Sequence, residues 1–170
     1  AVYSNFRQKR SNILVESIDN IFKRPSGIEG NDEIINGIFC RTFAHGGAST
    51  LFVRADAVNK INGFDPTFNR NQDLEFLIRL LQVGKLAYVD KKLVRKYDTG
   101  SPSADTASEA MTHFYDKFSE LIEKRNLQDE VKQTQEFMSA KLHFRDGEYI
   151  RGLQKLQGST CPHYRDAFGL

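Results

Sequence analysis

The stretch Asn71-Gln72-Asp73-Leu74-Glu75-Phe76 holds the most suggestive chemistry in the chain. Apolar residues recur at Leu74, Phe76, Leu77, Leu80 and Leu81, so residues 72–83 read as a helix that Gly84 stops. Asp73 then falls in the first turn. The unsatisfied N–H groups and the helix dipole stabilise a carboxylate there by about 0.3–1 kcal/mol. An ionised carboxylate so placed can take a proton from a hydroxyl. The plain structural reading of the same residues is a helix cap, supplied by Asp73 or Asn71. Other catalytic patterns are missing. There is no phosphate-cradling glycine-rich loop, no Gly-x-Ser-x-Gly elbow and no His-Glu-x-x-His. His45, His113, His143 and His163 lack ligand spacing and read as surface or capping histidines. Cys40 and Cys161 form neither a metal pair nor a disulfide framework.

Composition bounds the answer without choosing a partner. The 170 residues suit one domain, or one compact domain with an appendage. Hydrophobic residues make up 39%, enough for a sizeable core, and thirteen Phe with no Trp make Phe the main bulky packing residue. Lys plus Arg number 24 against 22 Asp plus Glu, a formal net charge of +2. No basic stripe with interleaved aromatics marks a nucleic-acid binder. The short basic clusters at residues 7–10, 91–96 and 124–125 read as solvated surface. No apolar run approaches the roughly 20 residues that span a bilayer, and no signal segment opens the chain. The expected location is the cytoplasm, with room for peripheral membrane contact.

The elements around Asp73 fall into three zones. Residues 1–30 hold two strand candidates, 2–6 and 12–18, before the turn at Pro25-Ser26-Gly27. The first begins so abruptly that a longer parent protein is expected. In the second zone Asn31 can cap a short helix with Ile34, Ile35, Ile38 and Phe39 on one face. His45-Gly46-Gly47 signals a turn, residues 49–54 a strand, and residues 55–61 two helical turns closed by Asn62-Gly63. Phe64-Asp65-Pro66 breaks the chain before the Asp73 helix, and residues 85–89 and 93–97 read as two more strands. From Ala104 the pattern is helical. Thr106 with Glu109 suggests a capping box, followed by Ala107, Met111, Phe114, Phe118, Leu121 and Ile122 at helical spacing. A second helix over 127–144 should turn Val131, Met138 and Leu142 inward, and a third carries Tyr149, Ile150, Leu153 and Leu156. This order predicts an α/β layer over residues 1–103 and a small helical extension over 104–170.

The ordered run Gly46-Gly47-Ala48-Ser49-Thr50-Leu51-Phe52-Val53-Arg54, Asn62-Gly63-Phe64-Asp65, Gln72-Asp73-Leu74-Glu75-Phe76-Leu77-Ile78-Arg79-Leu80 and Gly84-Lys85-Leu86-Ala87-Tyr88-Val89-Asp90 resembles the second half of family-two glycosyltransferases. The resemblance is clear from Gly46 to Ser103 and weak from Ala1 to His45. It implies a partial GT-A fold and an inverting transfer of sugar from a nucleotide donor to a hydroxyl acceptor. Gln72-Asp73 matches the family's acidic pair, with Gln in place of the usual Glu, and makes Asp73 the general base. Gly46 and Gly47 would let the backbone approach a sugar, a bare turn being the alternative. Asp65 would belong to an acceptor loop or simply form the turn, and Gln72 would lie near the acceptor. Arg79 would bind substrate, but it lies six residues beyond Asp73 and off its face, so pairing with a local acid or carbonyl is an equal alternative. Asp98, where the family often carries a His, would contact metal or diphosphate, an Asx-turn being the alternative. The expected cofactor is Mg²⁺ or Mn²⁺, held mainly by residues outside this chain.

Two rivals stand beside this reading. One is a non-catalytic helical interaction module on an α/β support, which an exposed apolar helical face and a capping Asp73 would favour. The other is an α/β enzyme whose nucleophile is Ser49 or Cys40 beside a histidine. The family binds nucleotide and metal through an Asp-x-Asp motif, and no Asp-x-Asp occurs in this sequence. The 170 residues alone are therefore expected to bind no nucleotide sugar and to turn none over. A calorimetric donor titration checks this, and clear affinity or turnover overturns it.

Overall fold

The computed structural model describes residues 1–9, 27–43, 45–97, 102–157 and 159. Within them the protein is mixed α/β, with a three-stranded sheet and seven α-helices. They form two compact units, one from residues 1–35, 44–65 and 72–100, the other from 36–43, 66–71 and 101–170. The strand expected over residues 12–18 lies outside the described residues.

In the first unit β1 (Val2–Lys9) is the central strand of the order β2-β1-β3. β2 (Leu51–Phe52) runs antiparallel to it, with Leu51 opposite Tyr3. The strand expected over 49–54 shrinks to these two residues because Ala48–Thr50 coils into a 3₁₀ turn, closed by Thr50 N–H donating to Gly47 O at 3.1 Å. β3 (Ala87–Tyr97) runs parallel to β1 and replaces the two strands expected at 85–89 and 93–97. The polar Asp90-Lys91-Lys92 looks like a turn in sequence. Here the extra residues are absorbed as a bulge, since β1 advances two steps from Ser4 to Phe6 while β3 advances five from Val89 to Val94.

The next helices follow their patterns closely, the first of them divided between the two units after residue 35. α1 (Asp32–Phe39) begins where Asn31 O accepts from Ile35 N at 2.9 Å, and Ile34, Ile35, Ile38 and Phe39 are all fully buried. α2 (Ala55–Lys60) ends on two successive left-handed residues, Asn62 at φ 57° and Gly63 at φ 68°. Gly63 N–H returns to Val58 O at 3.0 Å and so closes the helix end. α3 (Gln72–Val83) buries Phe76, Leu77, Ile78, Leu80 and Leu81, together with the charged Glu75.

In the second unit α4 (Ala104–Lys117) is capped by Ser103, whose Oγ accepts from Thr106 N at 3.3 Å. The capping box expected at Thr106 and Glu109 gives way to a single Ser103 cap three residues before Thr106. Ala104 N–H also donates to Asp146 at 2.6 Å, which occupies a second orphan donor of that helix end. The single helix expected through Ile122 breaks at Phe118, and α5 (Ser119–Lys124) follows. The break serves an aromatic cluster. The Phe114 ring lies 5.4 Å from Phe118 and 6.2 Å from Phe39, while Tyr115 OH donates to Phe39 O at 2.9 Å. α6 (Gln128–Arg145) buries Val131, Thr134, Phe137, Ser139, Ala140 and His143. The expected Met138 and Leu142 are only half-buried. Polar Thr134 and His143 sit within the buried stripe and hide its phase from a hydropathy reading. α7 (Tyr149–Leu156) approaches α6 closely at Gly152, where a Cβ would stand 2.8 Å from the Phe144 ring.

Phe114 has no exposure and three aromatic neighbours. Phe114→Ala is expected to cost about 3–5 kcal/mol of stability, measured by denaturant unfolding. A cost under about 1 kcal/mol would deny the cluster its place as this unit's core.

Candidate functional site

Asp73 lies in the first turn of α3, as expected, with its side chain 28% exposed. The contacts of the carboxylate lie across the first unit. Asp73 Oδ2 stands 3.7 Å from Nε2 of His45, whose side chain is only 3% exposed. Asn71 does not take the extended conformation of a side-chain cap. Its φ is 57°, and its amide donates to Ala110 O at 3.3 Å.

The loop facing Asp73 is built for close approach. Gly46 and Gly47 have φ of 81° and 90°, which L side chains rarely adopt. A Cβ on Gly46 would stand 2.4 Å from the Phe6 ring, so a second, steric demand falls on the same residue. A Cβ on Gly47 would stand 3.3 Å from Lys96 Nζ and 3.4 Å from Asp73 Oδ2. Buried Thr50 pins the loop from behind, its Oγ1 within reach of the His45 and Gly47 carbonyls. Lys96 holds it from β3, donating to Gly46 O at 2.6 Å with its ammonium 5.5 Å from the Phe6 ring centroid. The first unit thus gathers His45, Gly46, Gly47, Asp73 and Lys96 at one place.

Lys96 and His45 were not singled out by sequence. Lys96 sat in a short basic cluster that reads as surface, and His45 had no ligand-spaced partner. The signal available for His45 was its position directly before two glycines. Lys96 had none, because its neighbours depend on the register of β3.

The remaining candidates fall differently. Gln72 is exposed beside Asp73. Arg79 is taken up by structure. Its Nε and Nη2 donate to Glu75 Oε1 and Oε2 at 2.5 and 2.7 Å. Its Nη1 and Nη2 also reach the carbonyls of Ile61 and Gly63, the latter at 2.8 Å. These carbonyls lie just past α2, where helices leave acceptors unsatisfied. The Glu75 hydrogen bonds raise the Arg79 pKa further, the partial burial opposes this, and Asp65 adds negative charge nearby. Asp65 therefore stands in the Arg79 surroundings, half-buried. Asp98 lies outside the described residues, as do Cys161 and His163.

Cys40, the alternative nucleophile, is poorly placed for that work. Burial and then the Glu130 charge push its thiol up from the ordinary range, which lowers the thiolate fraction. Ser49 is exposed. His113 stacks on Phe68 at 4.3 Å and His143 Nδ1 lies 2.6 Å from Glu148 Oε2, both in the second unit. Among the described residues no group of three or more His, Cys, Asp or Glu could hold a metal ion.

No protein-family model, no curated protein and no solved structure matches the chain.

Glu75 has no exposure, and Arg79 is its bidentate partner. Arg79→Met would take the bidentate partner from a buried carboxylate, at a cost of about 3–5 kcal/mol. Adding Glu75→Leu to that variant should recover most of the loss, since a packed apolar pair replaces the ions at little cost. Thermal and denaturant unfolding of both variants checks the expectation, and a silent Arg79→Met overturns it.

Proposed function

We propose that the chain supplies the acceptor side of an inverting, nucleotide-sugar glycosyltransferase with a GT-A-like fold, and that Asp73 is its general base. The observation carrying this reading is the Asp73 carboxylate itself. It is partly open to solvent, and it faces a buried histidine and a loop kept bare of side chains at Gly47. A base needs this combination of access and a held orientation. The ordered motifs from Gly46 to Asp90 support the same reading by resemblance.

In the proposed step an acceptor hydroxyl gives its proton to Asp73 as its oxygen bonds to the anomeric carbon. The bond from that carbon to the diphosphate oxygen breaks on the opposite face, and the nucleoside diphosphate leaves with the electron pair. His45, 3.7 Å behind the carboxylate, can stabilise its charge before transfer when protonated. Gln72 and Asp65 are assigned to the acceptor surroundings, and Arg79 acts by holding α3. The Mg²⁺ or Mn²⁺ expected of the family has no fitting ligand set among the described residues, so no step here is routed through it. No helix among those residues is long and apolar enough to cross a membrane. A cytoplasmic setting with peripheral membrane contact completes the proposal.

One observation favours the interaction-module reading. α7 leaves Tyr149, Ile150, Leu153 and Leu156 exposed on one face, Ile150 at 76%. The two readings part on Asp73. In the full-length protein with nucleotide sugar and divalent metal, Asp73→Asn is expected to lose about 10²–10⁴-fold in turnover while donor affinity holds. Equal turnover in variant and wild type would leave the carboxylate without proton work and bring the interaction module forward.

A further inference from the structure

We propose that Lys96 is the second wall of the acceptor site, and that Lys96 and Asp73 together bind one hydroxyl of a neutral polyhydroxyl ligand. The inference rests on the reading of Asp73 as the base that faces the acceptor. An ammonium and a carboxylate converge on one point, 3.3 Å and 3.4 Å from where a Gly47 side chain would begin. Among the described residues no ion pair joins the two, and both face the space that a Gly47 side chain would enter. Lys96 uses one of its three donors on Gly46 O. Among the described residues its other two donate to no oxygen, and the Phe6 ring lies 5.5 Å from the ammonium.

The chemistry of the gap selects its occupant. A hydroxyl is the smallest group that accepts from an ammonium and donates to a carboxylate at once. An anion would gain at Lys96 and lose at Asp73, and a cation would do the reverse. With one charge of each sign, the pair favours a neutral ligand. Lys96 also orients the hydroxyl so that its proton points at Asp73, which is the geometry that base catalysis requires. Gly47 fits this role. A side chain there would be strained at φ 90° and would interpose carbon between the two charges.

The test is by NMR on the labelled chain, following Lys96 ¹⁵Nζ and Asp73 ¹³Cγ. The probes are methyl β-D-glucopyranoside and methyl α-D-mannopyranoside, with methyl β-D-glucuronide as the anionic comparison. Saturable shifts at both nuclei are expected with a neutral glycoside, and affinity about tenfold weaker for the glucuronide. Lys96→Met should weaken neutral binding by about tenfold or more, since hydrogen bonds to charged groups are the stronger kind. Gly47→Ala should do likewise, but its backbone strain can unfold the loop, so Lys96→Met is the deciding variant. A shift at Lys96 ¹⁵Nζ itself separates direct contact from a loop-holding role. A shift at Asp73 alone, or unchanged affinity in Lys96→Met, overturns the Lys96 assignment and leaves the Asp73 reading standing. No shift at either nucleus with any glycoside overturns the hydroxyl site, while turnover of Asp73→Asn decides the glycosyltransferase reading separately.

Discussion

Glu75 is a carboxylate cut off from water, and the position of α3 follows from what that carboxylate demands. A buried charge is tolerated only when paired and hydrogen-bonded. Arg79, one turn along the same helix, supplies a bidentate partner. The guanidinium gives two of its remaining three donors to Ile61 and Gly63, carbonyls just past the end of α2. One polar network therefore satisfies an internal charge and ties two helices together. Phe64, just past the second of these carbonyls, stacks on Phe76 of α3 at 4.3 Å. This network holds α3, the helix whose first turn carries Asp73.

The opposite side of the site depends on a register. Side chains alternate across a strand, so inserting an odd number of residues inverts the faces beyond the insertion. Between Ser4 and Phe6 of β1, β3 takes three steps more than its partner. Val94 thereby becomes the partner of Phe6, and Lys96 the partner of Gln8. Lys96 is brought to the Phe6 side, where its ammonium meets that ring and the Gly46 carbonyl. The glycine loop lies between this lysine and Asp73. Its left-handed backbone and the missing Cβ atoms are what allow three elements to approach so closely.

Much of this architecture could be read in the chain. The apolar spacing of residues 72–83 and the glycine that follows matched α3 at both ends. The isoleucine face of α1 and the Asn62-Gly63 closure were legible for the same reason, since local periodicity and backbone preference act within a few residues. The failures also have local causes. A bulge of charged residues imitates a turn in β3, and polar residues inside the buried stripe of α6 disguise its face. Ser103 displaced Thr106 as the cap because two hydroxyl residues three positions apart offer the backbone similar acceptors, and the Asp146 contact at Ala104 N–H fixes the helix start at the earlier one.

The sequence by itself determined most of the helices, the glycine turns and the presence of a carboxylate in a helix's first turn. Each depends on interactions spanning one or two turns of chain. It also determined the chemical types available, including the lack of any Asp-x-Asp pair. Only the tertiary structure decided which of these residues meet. His45 and Asp73 are distant in sequence and 3.7 Å apart in space. Lys96 reaches Gly46 only through the parallel pairing of β3 with β1 and its odd insertion. Arg79 was a free candidate in the sequence, and the burial of Glu75 committed it to structure. Such pairings depend on register and burial, which no short stretch of sequence encodes.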